Sequence, residues 1–141
     1  MTRLIHFLVW AVLRLYAYTR PCADIAIDGE LYMRRWFLTS RPPPESDETG
    51  TPGWYLQRIY REDRDRRLHC HPWTKATTRI LRGRYEERRE DEQDDYVHFI
   101  RDTGDTYTLW PTTYHRITCV WPNTWTLFHA GPKTGNGWGF R

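Results

Sequence analysis

Lysine is almost missing from this 141-residue chain, in which Lys75 and Lys133 stand against 19 arginines. With 18 acidic residues the net charge is only +3, so no field of one sign is available to hold a polyanion, and nucleic acid is not an expected partner. Cysteine is also scarce. Cys22, Cys70 and Cys119 are odd in number and lack a C-x-x-C spacing, which excludes a disulfide framework and a zinc ribbon and fits a reducing, cytoplasmic setting. Long apolar runs are absent. The longest, residues 4–13, is interrupted by His6 and followed by Arg14, well short of the roughly 20 residues that span a bilayer, so no membrane span is expected. The sequence has no internal repeat, heptad or glycine-rich phosphate loop.

Aromatic mass is abundant instead. Eight Trp and nine Tyr bring aromatics to 16% while hydrophobic types together reach 39%, which predicts a core of few, large side chains and not a disordered chain. The length suits one domain. Residues 4–18 lack Pro and Gly, and Leu4, Leu8, Ala11 and Leu15 share one side at helical spacing, broadened by Trp10, Leu13 and Tyr16. The segment 1–20 therefore reads as a helix packed on the domain; an interfacial membrane helix and a signal sequence are the other readings. Pro21 ends it, and residues 21–141 form the single remaining domain. Residues 31–38, 54–61, 68–85, 96–101, 107–110, 115–120 and 125–130 read as β runs joined by turn chemistry, which predicts a barrel or sandwich. Residues 41–53, with Pro42, Pro43 and Pro44, read as a mobile loop, and the charged stretch 86–95 as a solvated hairpin end. The stretch 131–139 reads as a tail folding back on the barrel.

Chemistry is densest at Leu68-His69-Cys70-His71-Pro72-Trp73. Alternate residues of a strand share a face, so His69 and His71 can aim side by side at one interior point while Cys70 points away. Imidazole is a neutral ligand for iron, zinc, copper and nickel, and two seldom suffice, so a third must come from elsewhere. His115, opening a later β run with Ile117 and Cys119 on its face, is the best candidate; polar histidines on a half-exposed strand are the plain alternative.

The run from His69 to Gly83 resembles the first cupin motif, with His-x-His ahead of a turn glycine, and Pro111 to His115 resembles the second, with Pro ahead of the last histidine. The resemblance covers about residues 54–130, and the arginine-rich frame around His-Cys-His-Pro-Trp is similar to small cupin-like proteins of phages and prophages. It implies an all-β cupin double-stranded β-helix, a jelly-roll-like barrel, with the N-terminal helix added. Where the cupin pattern has its glutamate ligand this chain has Lys75 or Ala76, and Thr112-Thr113-Tyr114 lacks the second motif's glycine. Three histidines without the carboxylate resemble the cysteine-dioxygenase branch. That implies one divalent transition metal, Fe(II) first and Zn, Ni or Mn as alternatives, at His69, His71 and His115, with oxygen-dependent oxidation of a small anionic substrate. A non-catalytic cupin-fold binding protein, such as a phage accessory factor acting on a host protein, and metal-dependent isomerase or lyase chemistry are the other readings.

Arg58 heads a cluster with Arg61, Arg64, Arg66 and Arg67 that could clamp an anion, although Glu62, Asp63 and Asp65 make a solvated, self-paired loop equally natural. Trp73 is a candidate for the barrel mouth, and Tyr85 and Tyr114 for hydrogen bonds to substrate, each against plain packing. His98 and His129 stay outside the metal set, and Cys70 and Cys119 read as inert. Exposed aromatic strands and the apolar helix suggest a homodimer.

Overall fold

The computed structural model describes residues 2–41, 51–63, 67–93 and 95–141. Most of the loop expected at 41–53, and Arg64, Asp65 and Arg66, lie outside the described residues. Helix α1 (Arg3–Ala17) starts where the Thr2 side chain accepts the Ile5 N–H at 3.5 Å. Eleven strands follow among the described residues, β1 (Cys22–Ile27), β2 (Glu30–Phe37), β3 (Gly53–Ile59), β4 (His69–Cys70), β5 (Ala76–Arg82), β6 (Arg84–Glu90), β7 (Tyr96–Asp102), β8 (Thr106–Leu109), β9 (His115–Val120), β10 (Thr124–Ala130) and β11 (Gly139–Phe140).

They form two antiparallel sheets, ordered β1-β2-β3-β10-β5-β8 and β11-β4-β9-β6-β7. Their facing sides hold one core, in which Phe37, Tyr55, Ile80, Tyr85, Ile117 and Phe128 are buried. Period-two alternation sorts the side chains. On β3, Tyr55, Gln57 and Ile59 belong to this interior, whereas Leu56 joins a second cluster on the outside of the same sheet with Trp10, Ala17, Leu38, Leu81 and Trp125. Trp125 meets Trp10 edge-on at 5.7 Å and stacks on Trp36 at 5.4 Å. No helix among the described residues is long and apolar enough to cross a membrane.

Three expectations are corrected. The stretch from Glu86 is not a solvated end: β6 lies between β9 and β7, with Glu87 wholly buried, because Tyr85 and Glu87 keep the inward register of an interior strand. Helix α1 does pack on the barrel, but through His6, Trp10 and Ala17; Leu4, Leu8 and Leu15 remain 66%, 53% and 69% exposed. One indole against Trp125 buries more area than any leucine of the expected stripe, which sets the helix's rotation. Cys119 is exposed, not on the face of His115, because the β6–β9 register slips between Glu86 and Glu87 and turns the end of β9 over.

Gly83 carries the chain from one sheet to the other between β5 and β6. Its φ is +76°, and a Cβ there would lie 2.7 Å from Thr124 Cα and 2.8 Å from the Asn123 carbonyl oxygen. Left-handed backbone and a close approach thus both require glycine. Gly83→Ala is expected to lower stability by about 1–3 kcal/mol in urea unfolding, and an unchanged midpoint would contradict this.

Candidate metal centre

The short strand β4 hydrogen-bonds β9 so that His69 and His115 are directly opposite partners, and His71 follows two residues on. The three imidazoles offer ligand atoms that all lie within 4.8 Å of one another. His71 Nε2 and His115 Nε2 are 2.8 Å apart. Two nitrogens bound about 2.1 Å from one metal at right angles would be about 3.0 Å apart, so the spacing suits a shared cation. His71 Nδ1 is buried without a hydrogen-bond partner, and its ring stacks on Trp73 at 5.2 Å with Trp138 at 4.8 Å. Burial, reinforced by the charges of His115, His69 and Arg35, pushes its pKa well below the usual histidine value. A neutral imidazole with a free lone pair is what a metal ligand requires. The donor set fits one divalent transition metal.

Carboxylates stand behind two of the three rings. Glu87 Oε1 is 2.8 Å from His115 Nδ1, so that nitrogen donates its proton and Nε2 presents a lone pair. The same carboxylate accepts from Arg89 Nε at 2.9 Å and Arg101 Nε at 2.7 Å. Asp63 Oδ2 is 3.3 Å from His69 Nδ1, and the Asp63 N–H donates to the Ile117 carbonyl at 2.9 Å, which ties this buried acid to β9. Asp63 therefore faces the cluster; the reading of a solvated loop is corrected for this residue.

The cluster opens on an interior cavity of about 60 Å³ whose lining includes Tyr32, Arg35, Gln57, Thr78 and Tyr107. Arg35 is its permanent positive charge. It lies on β2 between buried Met33 and Phe37, with its guanidinium over the rings of Tyr55 at 5.0 Å and Phe128 at 5.8 Å. Gln57 Oε1 accepts from Arg35 Nε at 3.0 Å and Nη2 at 2.9 Å, while the Gln57 amide donates to Thr126 Oγ1 at 3.1 Å. No carboxylate among the described residues pairs with it.

The other candidates separate. Tyr85 lines the cavity and its hydroxyl bonds that of Tyr107; burial raises both phenol pKa values, so both stay protonated. Arg58 does not reach the interior. Strand alternation puts it on the outer face, over Tyr60 at 4.7 Å and Trp125 at 5.4 Å, and this corrects its place as a substrate clamp. Trp73 is 1% exposed and is a core wall behind His71, not a mouth residue. Tyr114 sits outside the cavity, with the Arg141 guanidinium 4.2 Å from its ring centre. His98 pairs with Glu86 at 3.0 Å and His129 packs on Trp54, both away from the cluster. Cys70 is buried, and Ala76 points inward at a position where the cupin pattern has its glutamate ligand.

Burial opposes the Glu87 charge, but the His115 hydrogen bond and the charges of His115, Arg89 and Arg101 outweigh it and hold the carboxyl at about 2, against an ordinary 4.5. The resulting stabilisation, about 3 kcal/mol, is complete above about pH 5 and is lost as pH falls towards 2. Glu87→Gln should abolish that acid-side slope and cost about 3–5 kcal/mol at pH 7, since two guanidiniums lose their anion. Urea unfolding at pH 7, 4 and 2.5 reads both effects, and an unchanged slope in the variant would contradict the assignment.

No family model and no curated protein matches the chain. Solved structures do. The Fe(II) form of HppE superposes with a TM-score of 0.57 at 11% identity over 79% of this chain, which spans only 56% of that longer protein. Drosophila melanogaster CENP-C bound to CAL1 gives 0.54 at 10% identity over 85% of this chain and 92% of that one. The Drosophila melanogaster CENP-C cupin domain gives 0.50 at 11% identity over 76% and 72%. Two antiparallel sheets with one N-terminal helix, matched to such structures, establish that this chain has the cupin fold.

Proposed function

We propose that His69, His71 and His115 hold one divalent transition metal, iron(II) in preference to zinc, nickel or manganese, and that the protein uses dioxygen to oxidise a small anionic substrate. The observation that carries this reading is the convergence of three imidazoles in a cavity that also contains an unpaired guanidinium. A ferrous ion bound there supplies redox chemistry that no side chain of the site possesses. The similarity to a protein studied as its Fe(II) form supports the choice of iron.

The chain's own residues have separable tasks in this reading. Glu87 and Asp63 orient His115 and His69, and Trp73 and Trp138 hold the His71 ring while excluding water. Arg35 binds the substrate's anionic group, because a half-buried guanidinium in the cavity wall without a carboxylate has the most to gain from one. Gln57 and Thr126 fix its fork, and the Tyr85 and Tyr107 hydroxyls stay protonated as donors. A cavity of about 60 Å³ has room for roughly four water-sized groups, so the anion is short, such as a one- or two-carbon carboxylate.

A non-catalytic binding role is the second reading, favoured by the similarity to CENP-C in its complex with CAL1. The experiment separates the two. Anaerobically purified protein should contain close to one iron per chain by elemental mass spectrometry. His69→Ala/His71→Ala/His115→Ala should contain none while keeping its circular dichroism. Arg35→Gln should keep the metal but raise the substrate KM about 30-fold or more in an oxygen-electrode screen of short carboxylates. Metal-free protein that stays metal-free after reconstitution, with no oxygen uptake, would overturn the enzyme reading and leave the binding role.

A further inference from the structure

Helix α1 is apolar on both sides. Its inner side is spent on Trp125, Leu56 and Leu81, yet the side turned to solvent carries Leu4, Ile5, Leu8, Val12 and Leu15 without one polar residue among them. Their exposures run from 43% to 69%. A contiguous exposed apolar face of this kind ordinarily marks an interaction surface. The border of this face says what covers it. The Arg14 guanidinium lies 5.3 Å from the Trp10 ring centre, that of Arg82 lies 4.6 Å from it, and that of Arg58 lies 5.4 Å from the Trp125 ring centre. None of these three arginines pairs with a carboxylate among the described residues. Asp102, near the start of the helix, is held by Arg3 at 3.4 Å and Arg84 at 3.0 Å, and Asp24 by Arg34 at 2.6 Å. Along the other flank runs an open, apolar groove of about 400 Å³ between Leu13, Tyr16, Leu38, Trp54 and Leu127.

We propose that this face docks on an anionic phospholipid surface, with the five aliphatic side chains below the headgroups, Arg14, Arg58 and Arg82 among the phosphates, and the groove against an acyl chain. Aliphatic residues framed by cations and by exposed Tyr16 and Tyr18 match the layering of a bilayer interface. A second copy of the chain suits the face less well, because an identical face brings the same three arginines and, with Asp24 and Asp102 already paired, no free carboxylate among the described residues of its border to meet them. Docking would place the barrel at the membrane without any segment crossing it. The proposal stands independently of the metal.

The test is flotation of the whole protein with large unilamellar vesicles, either pure phosphatidylcholine or containing 30 mol% phosphatidylglycerol, together with light scattering of the protein alone. The expected result is a monomer of 17.1 kDa that floats with the anionic vesicles. Affinity should be at least about tenfold weaker for phosphatidylcholine, or in 0.5 M salt. Leu8→Glu/Leu15→Glu should abolish flotation without lowering the melting temperature, since neither side chain is packed; Arg14→Gln/Arg82→Gln should weaken it about tenfold or more. Failure to float with anionic vesicles, or equal affinity for both vesicle types, overturns the proposal. So does a dimer that Leu8→Glu/Leu15→Glu splits, which would assign the face to a second copy.

Discussion

Glu87 has no solvent exposure, and its two oxygens are divided between His115 and Arg89 on one side and Arg101 on the other. A carboxylate taken out of water is costly, and here three charge-assisted hydrogen bonds offset that cost. The consequences reach across the barrel. Arg101 and Arg89 lie against Tyr107, the Tyr107 hydroxyl meets Tyr85, and His115 is fixed with Nε2 towards His71. One buried anion thereby sets the tautomer of one imidazole and the positions of two guanidiniums, and those guanidiniums in turn brace the cavity wall.

Two charges of the interior have opposite fates. The carboxylate of Glu87 is surrounded by cationic partners, whereas the guanidinium of Arg35, in the wall of the same cavity, has only an amide and two aromatic faces. The surplus positive charge sits beside the three imidazoles. In the proposed function this is the charge that an anionic substrate would neutralise.

The strand pattern was legible because its signal is local. Turn residues and period-two alternation located β2, β3, β7, β8, β9 and β10 within a residue or two, whereas β4, β5 and the start of β6 were merged into one run at 68–85; the motif spacing also singled out His69, His71 and His115, which the fold brings together. Charge misled at two places. In Arg84–Glu90 six of seven residues are charged, so the run looks solvated, and only the register continuing from Tyr85 to Glu87 marks it as interior. Arg35 is the same case, a charge on the buried face between Met33 and Phe37, whereas the conspicuous arginine, Arg58, lies outward. The rotation of the helix, though not the helix itself, was hidden for another reason. Its periodic stripe measures hydrophobicity, but the barrel offered Trp125, and aromatic fit chose the face with Trp10.

Three converging imidazoles preset for one metal ion should take up cobalt(II) in an anaerobic titration followed by visible absorption. Ligand-field bands are expected to saturate at one equivalent and to shift when Glu87→Gln releases His115. Spectra that match aqueous cobalt at every ratio, in protein that remains folded, would contradict this.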